Sequence, residues 1–177
     1  HIQFDEATAI LAADALQPLA FEVIADGLAD PVAAQQSIRV LARAAGAGRL
    51  VGGQMEDILA EREQLGDADR LHRIHRGKTG AMIRVAGELG AIAAGADSSQ
   101  MDAVQRFGDA IGLAFQIVDD LLDIESTAET MGKRTGKDAQ SGKLTFPGVF
   151  GVEHSRNPAA ALIADPIDPL QMFGSSN

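Results

Sequence analysis

The 177-residue sequence has no cysteine, no tryptophan and no tyrosine, and only six prolines. Without cysteine there can be no disulfide framework and no thiolate metal centre, a composition that fits a reducing, cytoplasmic setting. With seven phenylalanines and no other large aromatic, long aromatic-rich strands are not expected. So few prolines leave room for long helices. No run of 18 or more uncharged apolar residues occurs, so no transmembrane helix is expected. Basic residues are in deficit too: 15 Lys and Arg against 25 Asp and Glu give a net charge of −10. That argues against nucleic acid or an anionic membrane as partner, because both demand clustered Lys and Arg. The opening HIQFDEAT has neither an initiator Met nor a signal-like pattern, and reads as a chain that starts partway through a larger protein.

Apolar residues make up 46% of the chain, and 19 glycines together with numerous alanines suit closely packed helices. The length is enough for one domain with a sizeable core. Residues 5–25 carry apolar side chains around almost the whole helical circumference, which predicts a helix buried on most sides and disturbed at Pro18. Asp30-Pro31 is a helix start. Helical segments follow over 48–63, over 69–95 with interruptions at Gly77, Gly80 and Gly87, and over about 100–124. Residues 126–145 are polar and rich in Gly and Lys, and read as a loop. A proline-rich tail from about residue 157 is weakly specified. No period-2 alternation marks a strand, so the expected architecture is an all-α bundle.

Within the fifth helix, FQIVDDLLDI (115–124) sets Asp119, Asp120 and Asp123 among apolar residues. Gly112, Gln116, Asp119 and Asp123 recur at helical spacing, with Asp120 beside them, so the polar stripe is narrow. Three carboxylates on a surface helix would need no explanation. Carboxylates on a narrow stripe of an otherwise apolar helix need a cation, because an uncompensated buried charge costs several kcal/mol. Hard oxygen ligands without Cys or paired His point to Mg²⁺ or Mn²⁺. Mg²⁺ characteristically uses one or two carboxylates and completes its shell with water and substrate phosphates. The stretch lacks the ligand spacing, central Gly and closing Glu of an EF-hand.

A metal–phosphate site needs further positive charge, and the following loop offers Lys133, Arg134, Lys137 and Lys143. Taken alone, that is as readily a Lys-rich surface loop. Lys78 and Thr79 add one cation and one hydroxyl in an apolar context. Gln54 and Asp57, three residues apart on the third segment after Gly52-Gly53, share a face and could equally be a solvated edge. His72 and His75 have ligand-like spacing, but Arg70, Arg73 and Arg76 around them read as a solvated basic face.

In combination, GGQMED, KTGAMIRVAGELGA, FQIVDDLLDI and GKRTGKDAQSGKLTFP, in this order, resemble the trans-isoprenyl diphosphate synthase (polyprenyl synthetase) family, and within it the bacterial short-chain farnesyl/geranylgeranyl diphosphate synthases. The opening FDEATAILAADALQPLAFEVI resembles the family helix that follows its first aspartate-rich motif. The resemblance covers roughly residues 1–153. It implies the all-α isoprenoid synthase bundle, a homodimer, and head-to-tail condensation of isopentenyl diphosphate with an allylic diphosphate. It further implies Asp119, Asp120 and Asp123 as the second aspartate-rich motif, with Asp119 a direct Mg²⁺ ligand and Asp123 acting partly through water. Lys78 and Lys133 match the lysines that hold the allylic diphosphate, and Lys143 another basic position of the same loop. Thr79 and Gln116 match polar groups near the carbocation, Gln54 and Asp57 a polar pair lining the cavity, and Phe115 the wall beside Gln116.

The family's first aspartate-rich motif and its isopentenyl-diphosphate-binding basic residues have no counterpart in these 177 residues. The polypeptide of this length is therefore expected to bind diphosphate and Mg²⁺ weakly and not to turn over. A non-catalytic partner subunit of a heteromeric synthase is the alternative, disfavoured because the aspartates and Lys78, Lys133 and Lys143 all stand. A di-iron carboxylate bundle would need Glu-x-x-His pairs, which are missing. A terpene cyclase shares the fold, but the Lys-Thr pair with the second aspartate-rich pattern suits chain elongation better.

Overall fold

Side-chain caps start most of the helices, though not those that begin at Leu50 and Ala81. In a computed structural model that describes residues 1–64, 66–129 and 143–164, α1 (Glu6–Gly27) begins at Asp5, whose carboxylate accepts a hydrogen bond from the Thr8 N–H at 2.8 Å. α2 (Pro31–Ala45) begins at the expected Asp30-Pro31, with Asp30 accepting from the Val32 N–H. α3 (Leu50–Glu63) is followed by α4 (Ala68–His75), capped by Asp67. Arg76–Gly80 then winds as a π-helical turn into α5 (Ala81–Ala93). A reciprocal pair of hydrogen bonds between Asp97 and Gln100 opens α6 (Ser98–Glu129). Thr145 caps the short α7 (Phe146–Phe150), and α8 (Val152–Ala164) follows. No strand occurs among the described residues.

Several boundaries differ from the sequence reading. α6 continues to Glu129, past the point where the polar composition predicted a loop, because a helix already 28 residues long by Glu125 propagates at little cost through Ser126–Glu129. α8 runs through 157–164, where a weakly specified tail was expected. α1 passes Pro18 without ending, and none of its residues is buried. α2 packs on it through Ala20, Phe21 and Ile24, while Ile10, Leu11, Leu16 and Val23 are exposed. By length and composition α1 is apolar enough to cross a membrane, yet Asp14 near its middle would oppose insertion by about 3 kcal/mol.

Two apolar clusters hold the bundle. Leu41, Ala44, Ala81 and Val85 join α2 to α5. Leu71, Ile117, Leu121 and Phe146 join α4, α6 and α7, with Leu113, Leu144 and Val149 packed around them. Where the π-helical turn is crossed, glycines replace side chains. A Cβ at Gly53 of α3 would lie 2.5 Å from the Lys78 nitrogen, and one at Gly112 of α6 would lie 2.7 Å from the Gly80 Cα. α3 and α6 therefore touch this turn backbone to backbone, from two sides. Ion pairs add to the periphery: Arg70 reaches Glu56 and Glu63, and Arg84 reaches Glu88 and Asp109.

Candidate active site

The sequence reading took the glycines around Lys78 as interruptions of one long helix. In the structure they form the π-helical turn, whose extra residue re-aims the side chains of the turn. Gly53 and Gly77 let α3 approach so closely that Asp57, one turn beyond Gly53, receives the Lys78 ammonium at 2.8 Å. Asp57 is buried and Lys78 half-buried. Partial burial screens this pair less than a surface ion pair, and the lysine side chain stays 28% exposed. Gln54, expected beside Asp57, is exposed: it follows Gly53, the contact residue, by one position and so is turned about 100° from the contact.

α6 crosses the turn at Gly112–Gly80, which puts Gln116 one helical turn beyond the contact and Asp119 and Asp123 one and two turns further. Gln116 is buried, and Thr79 on the π-helical turn is half-buried. The three aspartates do not share one environment. Asp119 is exposed, Asp123 half-buried and Asp120 only 4% exposed. Asp120 faces inward, and its Oδ2 accepts the Phe146 backbone N–H at 2.8 Å. The surrounding apolar residues divide too: Ile117 and Leu121 are buried, whereas Phe115, Val118 and Leu122 are exposed. The wholly buried apolar surround inferred from the sequence is thus present on one side of α6 only, because no described element packs over Phe115, Val118 and Leu122.

The histidines also correct the sequence reading. His75 is buried and His72 half-buried. Both pack on Phe146, His75 stacked and His72 edge-on. Of the neighbouring arginines, Arg73 and Arg76 are exposed, while Arg70 is half-buried in its ion pairs with Glu56 and Glu63. Burial pulls the His75 pKa down to about 4, assisted by the positive charges of His72, Lys143 and Lys78 and opposed by Asp57. His75 is therefore neutral near pH 7. Its Nε2 lies 3.5 Å from Asp120 Oδ2, and its Nδ1 is buried without a hydrogen-bond partner among the described residues.

Lys143 is half-buried just ahead of α7 and lines a cavity of about 350 Å³ with Ala60, Gln64 and Thr145. Lys133, Arg134 and Lys137 lie outside the described residues. A second cavity, of about 820 Å³, opens between α2, α5 and α6 and touches none of Lys78, Asp119 or Asp123.

As a metal site, the arrangement offers oxygen donors one turn apart, Asp119 and Asp123. Nowhere among the described residues do three acidic or imidazole groups converge into a closed cage. That donor set fits a hard cation held by one or two carboxylates and otherwise by water and phosphate. Sequence reasoning missed His75, Phe146 and the π-helical turn. Only Thr145 followed by Pro147, a cap with Pro in the first turn, gave a local sign of α7.

Comparison with known proteins follows the same lines. The polyprenyl synthetase family model matches residues 1–168. The chain is 41% identical over 181 residues to the farnesyl diphosphate synthase of Escherichia coli (strain K12), covering 100% of this chain and 60% of that protein. Among solved structures it resembles an FPP/GFPP synthase from Zymomonas mobilis, solved without ligand, with TM-score 0.82 and 37% identity over 98% of this chain and 58% of that one. It also resembles the Helicobacter pylori geranyltransferase complexed with magnesium and isoprenyl diphosphate, with TM-score 0.80 and 30% identity over 99% and 57%. The chain thus spans about three-fifths of the length of these relatives. The fold is that of the isoprenoid synthases.

Proposed function

The chain belongs to the polyprenyl synthetase family, and from that premise we propose that it contributes to a prenyltransferase condensing isopentenyl diphosphate with an allylic diphosphate to give farnesyl or geranylgeranyl diphosphate. The observation that carries the proposal is the crossing of α3, the π-helical turn and α6. There a half-buried lysine on its carboxylate partner sits near a buried glutamine and, further along α6, an exposed and a half-buried carboxylate.

Lys78 and Lys143 bind the allylic diphosphate, together with Lys133. Asp57 keeps the Lys78 ammonium extended toward the ligand and limits its rotamers, so less entropy is lost on binding. Asp119 and Asp123 would hold the divalent cation, which supplies charge stabilisation to the departing diphosphate. The allylic C–O bond breaks with its electron pair staying on the diphosphate. The double bond of isopentenyl diphosphate then forms the new C–C bond, and a proton is lost. Thr79 and Gln116 turn their dipoles toward the developing cation, and Phe115 forms apolar wall beside Gln116, with Gln54 on the cavity edge. Fixed positive groups act here on charge that develops in the transition state, which is where electrostatic stabilisation is most effective.

A cytoplasmic homodimer, with the exposed apolar side chains of α1 covered by a second copy, belongs to the same proposal. The test is the full coding sequence expressed and supplied with isopentenyl and dimethylallyl diphosphates and Mg²⁺. Prenyl product is expected, and its kcat/KM should fall by about 10²-fold or more in Lys78→Ala, given the usual worth of one electrostatic donor. Product formation undiminished in that variant contradicts the assignment.

A further inference from the structure

We propose that Asp120 is a positioning residue and not a metal ligand: its inward carboxylate ties α6 to the first turn of α7 and so fixes Lys143 and the Phe146–His75 wall beside Lys78. The proposal rests on the prenyltransferase reading of this site and assigns its three aspartates two different jobs.

Adjacent residues on a helix point about 100° apart. Asp119 and Asp120 therefore leave α6 in different directions, and their surroundings differ accordingly: Asp119 is exposed and Asp120 buried. The buried carboxylate has a task of its own. Phe146 is the first residue of α7, so its N–H has no partner within that helix. Asp120 Oδ2 accepts it at 2.8 Å, and the same oxygen faces His75 Nε2. Thr145 caps the next free donor, the Gly148 N–H, at 3.2 Å. Five residues are too few to hold themselves as a helix in water. Packing of Phe146 on Leu71, Ile117 and Leu121, together with these two hydrogen bonds, keeps α7 in place.

Lys143 stands three residues before Phe146, so whatever anchors Phe146 sets where Lys143 begins. His75, stacked on Phe146, lies among Lys143, Lys78 and Asp57 and feels the charge of all three. Asp120 thus reaches the diphosphate-binding lysines through protein contacts, while Asp119 and Asp123 supply the one or two carboxylates a hard cation takes.

Because both contacts fall on a single oxygen, Asp120→Asn can preserve them with its amide oxygen while removing the charge. Asp120→Ala removes both. We would compare these with Asp119→Asn in the protein expressed from its full coding sequence. Three quantities are measured: exchange of the Phe146 amide by NMR, Mn²⁺ affinity by paramagnetic resonance, and KM for dimethylallyl diphosphate against kcat. In Asp120→Asn, Phe146 protection and Mn²⁺ affinity stay within about 3-fold of wild type, as expected when the accepting atom is kept. Asp120→Ala loses about 10-fold or more of the Phe146 protection and raises KM more than it lowers kcat, with Mn²⁺ affinity unchanged. Asp119→Asn leaves Phe146 protected and weakens Mn²⁺ binding by about 10-fold or more. Weakening of Mn²⁺ binding in Asp120→Asn to the level of Asp119→Asn overturns the proposal, as does wild-type exchange of Phe146 in Asp120→Ala. Should Asp120→Ala not fold, Asp120→Asn still separates tether from ligand. Failure of the prenyltransferase reading would look different: no prenyl product from wild type, with the Phe146 amide still protected through Asp120.

Discussion

Replacing Gly53 by Ala tests the backbone contact on which the site is built. The added Cβ would lie 2.5 Å from the Lys78 nitrogen, 2.8 Å from the Gly77 carbonyl carbon and 3.0 Å from the Lys78 Cα. All three are backbone atoms, so no side chain can swing away. Restoring ordinary separations of about 3.5 Å requires α3 and the π-helical turn to part by roughly 1 Å. Overpacking of this kind costs about 1–3 kcal/mol. The alanine itself favours the helix by about 0.5–1 kcal/mol over glycine. The net change is a loss of up to about 2.5 kcal/mol, which in a chain of this size lowers Tm by about 2–4 °C per kcal/mol. Gly90 of α5 is the control: a Cβ there meets nothing within 4 Å, so Gly90→Ala should gain the propensity term alone, about 0.5–1 kcal/mol. Because Asp57 follows Gly53 by one turn, Gly53→Ala should also stretch the 2.8 Å Lys78–Asp57 contact and weaken binding of allylic diphosphate. Urea unfolding and thermal melts of both variants, with an affinity measurement on Gly53→Ala, complete the experiment. If Gly53→Ala proves as stable as Gly90→Ala and binds diphosphate as wild type does, the close approach of α3 to the turn is wrong.

The buried His75 makes stability depend on acid. Its folded pKa of about 4 lies below the 6.5 of an exposed histidine, so the unfolded chain binds the proton more readily. Its neutral burial therefore contributes nothing unfavourable above pH 6.5, and stability falls as pH drops from 6.5 toward 4, by about 3 kcal/mol. Urea unfolding between pH 7 and 4.5 should show that slope in wild type and a shallower one in His75→Gln; equal slopes would contradict it. On α1, Leu11→Glu and Leu16→Glu place charge on two exposed apolar positions. Sedimentation should report dissociation of the proposed homodimer in the double variant, and an unchanged mass would remove α1 from the interface.

Residue types at helical spacing are easier to read from the sequence than the setting they fold into. The aspartate stripe, Lys78 and Asp57 were all legible as residue types at helical spacing, and the crossing of α3, the turn and α6 brings Lys78 onto Asp57. The division of labour between Asp119 and Asp120 was not legible, because the partner that draws Asp120 inward is a backbone N–H 26 residues away. His75 illustrates the same limit: three local arginines suggested a solvated face, whereas Phe146, supplied by a distant segment, covers it. The Gly-Lys-Thr-Gly run gave low helix propensity but could not say that the backbone would take a π-helical turn, since glycine permits that conformation without demanding it. α1 erred in the opposite direction. Its apolar circumference signalled burial, and burial depends on what is present to cover it.

Mg²⁺-dependent prenyl transfer by the protein expressed from its full coding sequence tests the central claim most directly. With isopentenyl and dimethylallyl diphosphates, the account expects farnesyl or geranylgeranyl diphosphate as product, abolished by chelation of the metal and reduced by about 10²-fold or more in Asp119→Asn. Product that survives chelation, or a rate in Asp119→Asn equal to that of wild type, would contradict it.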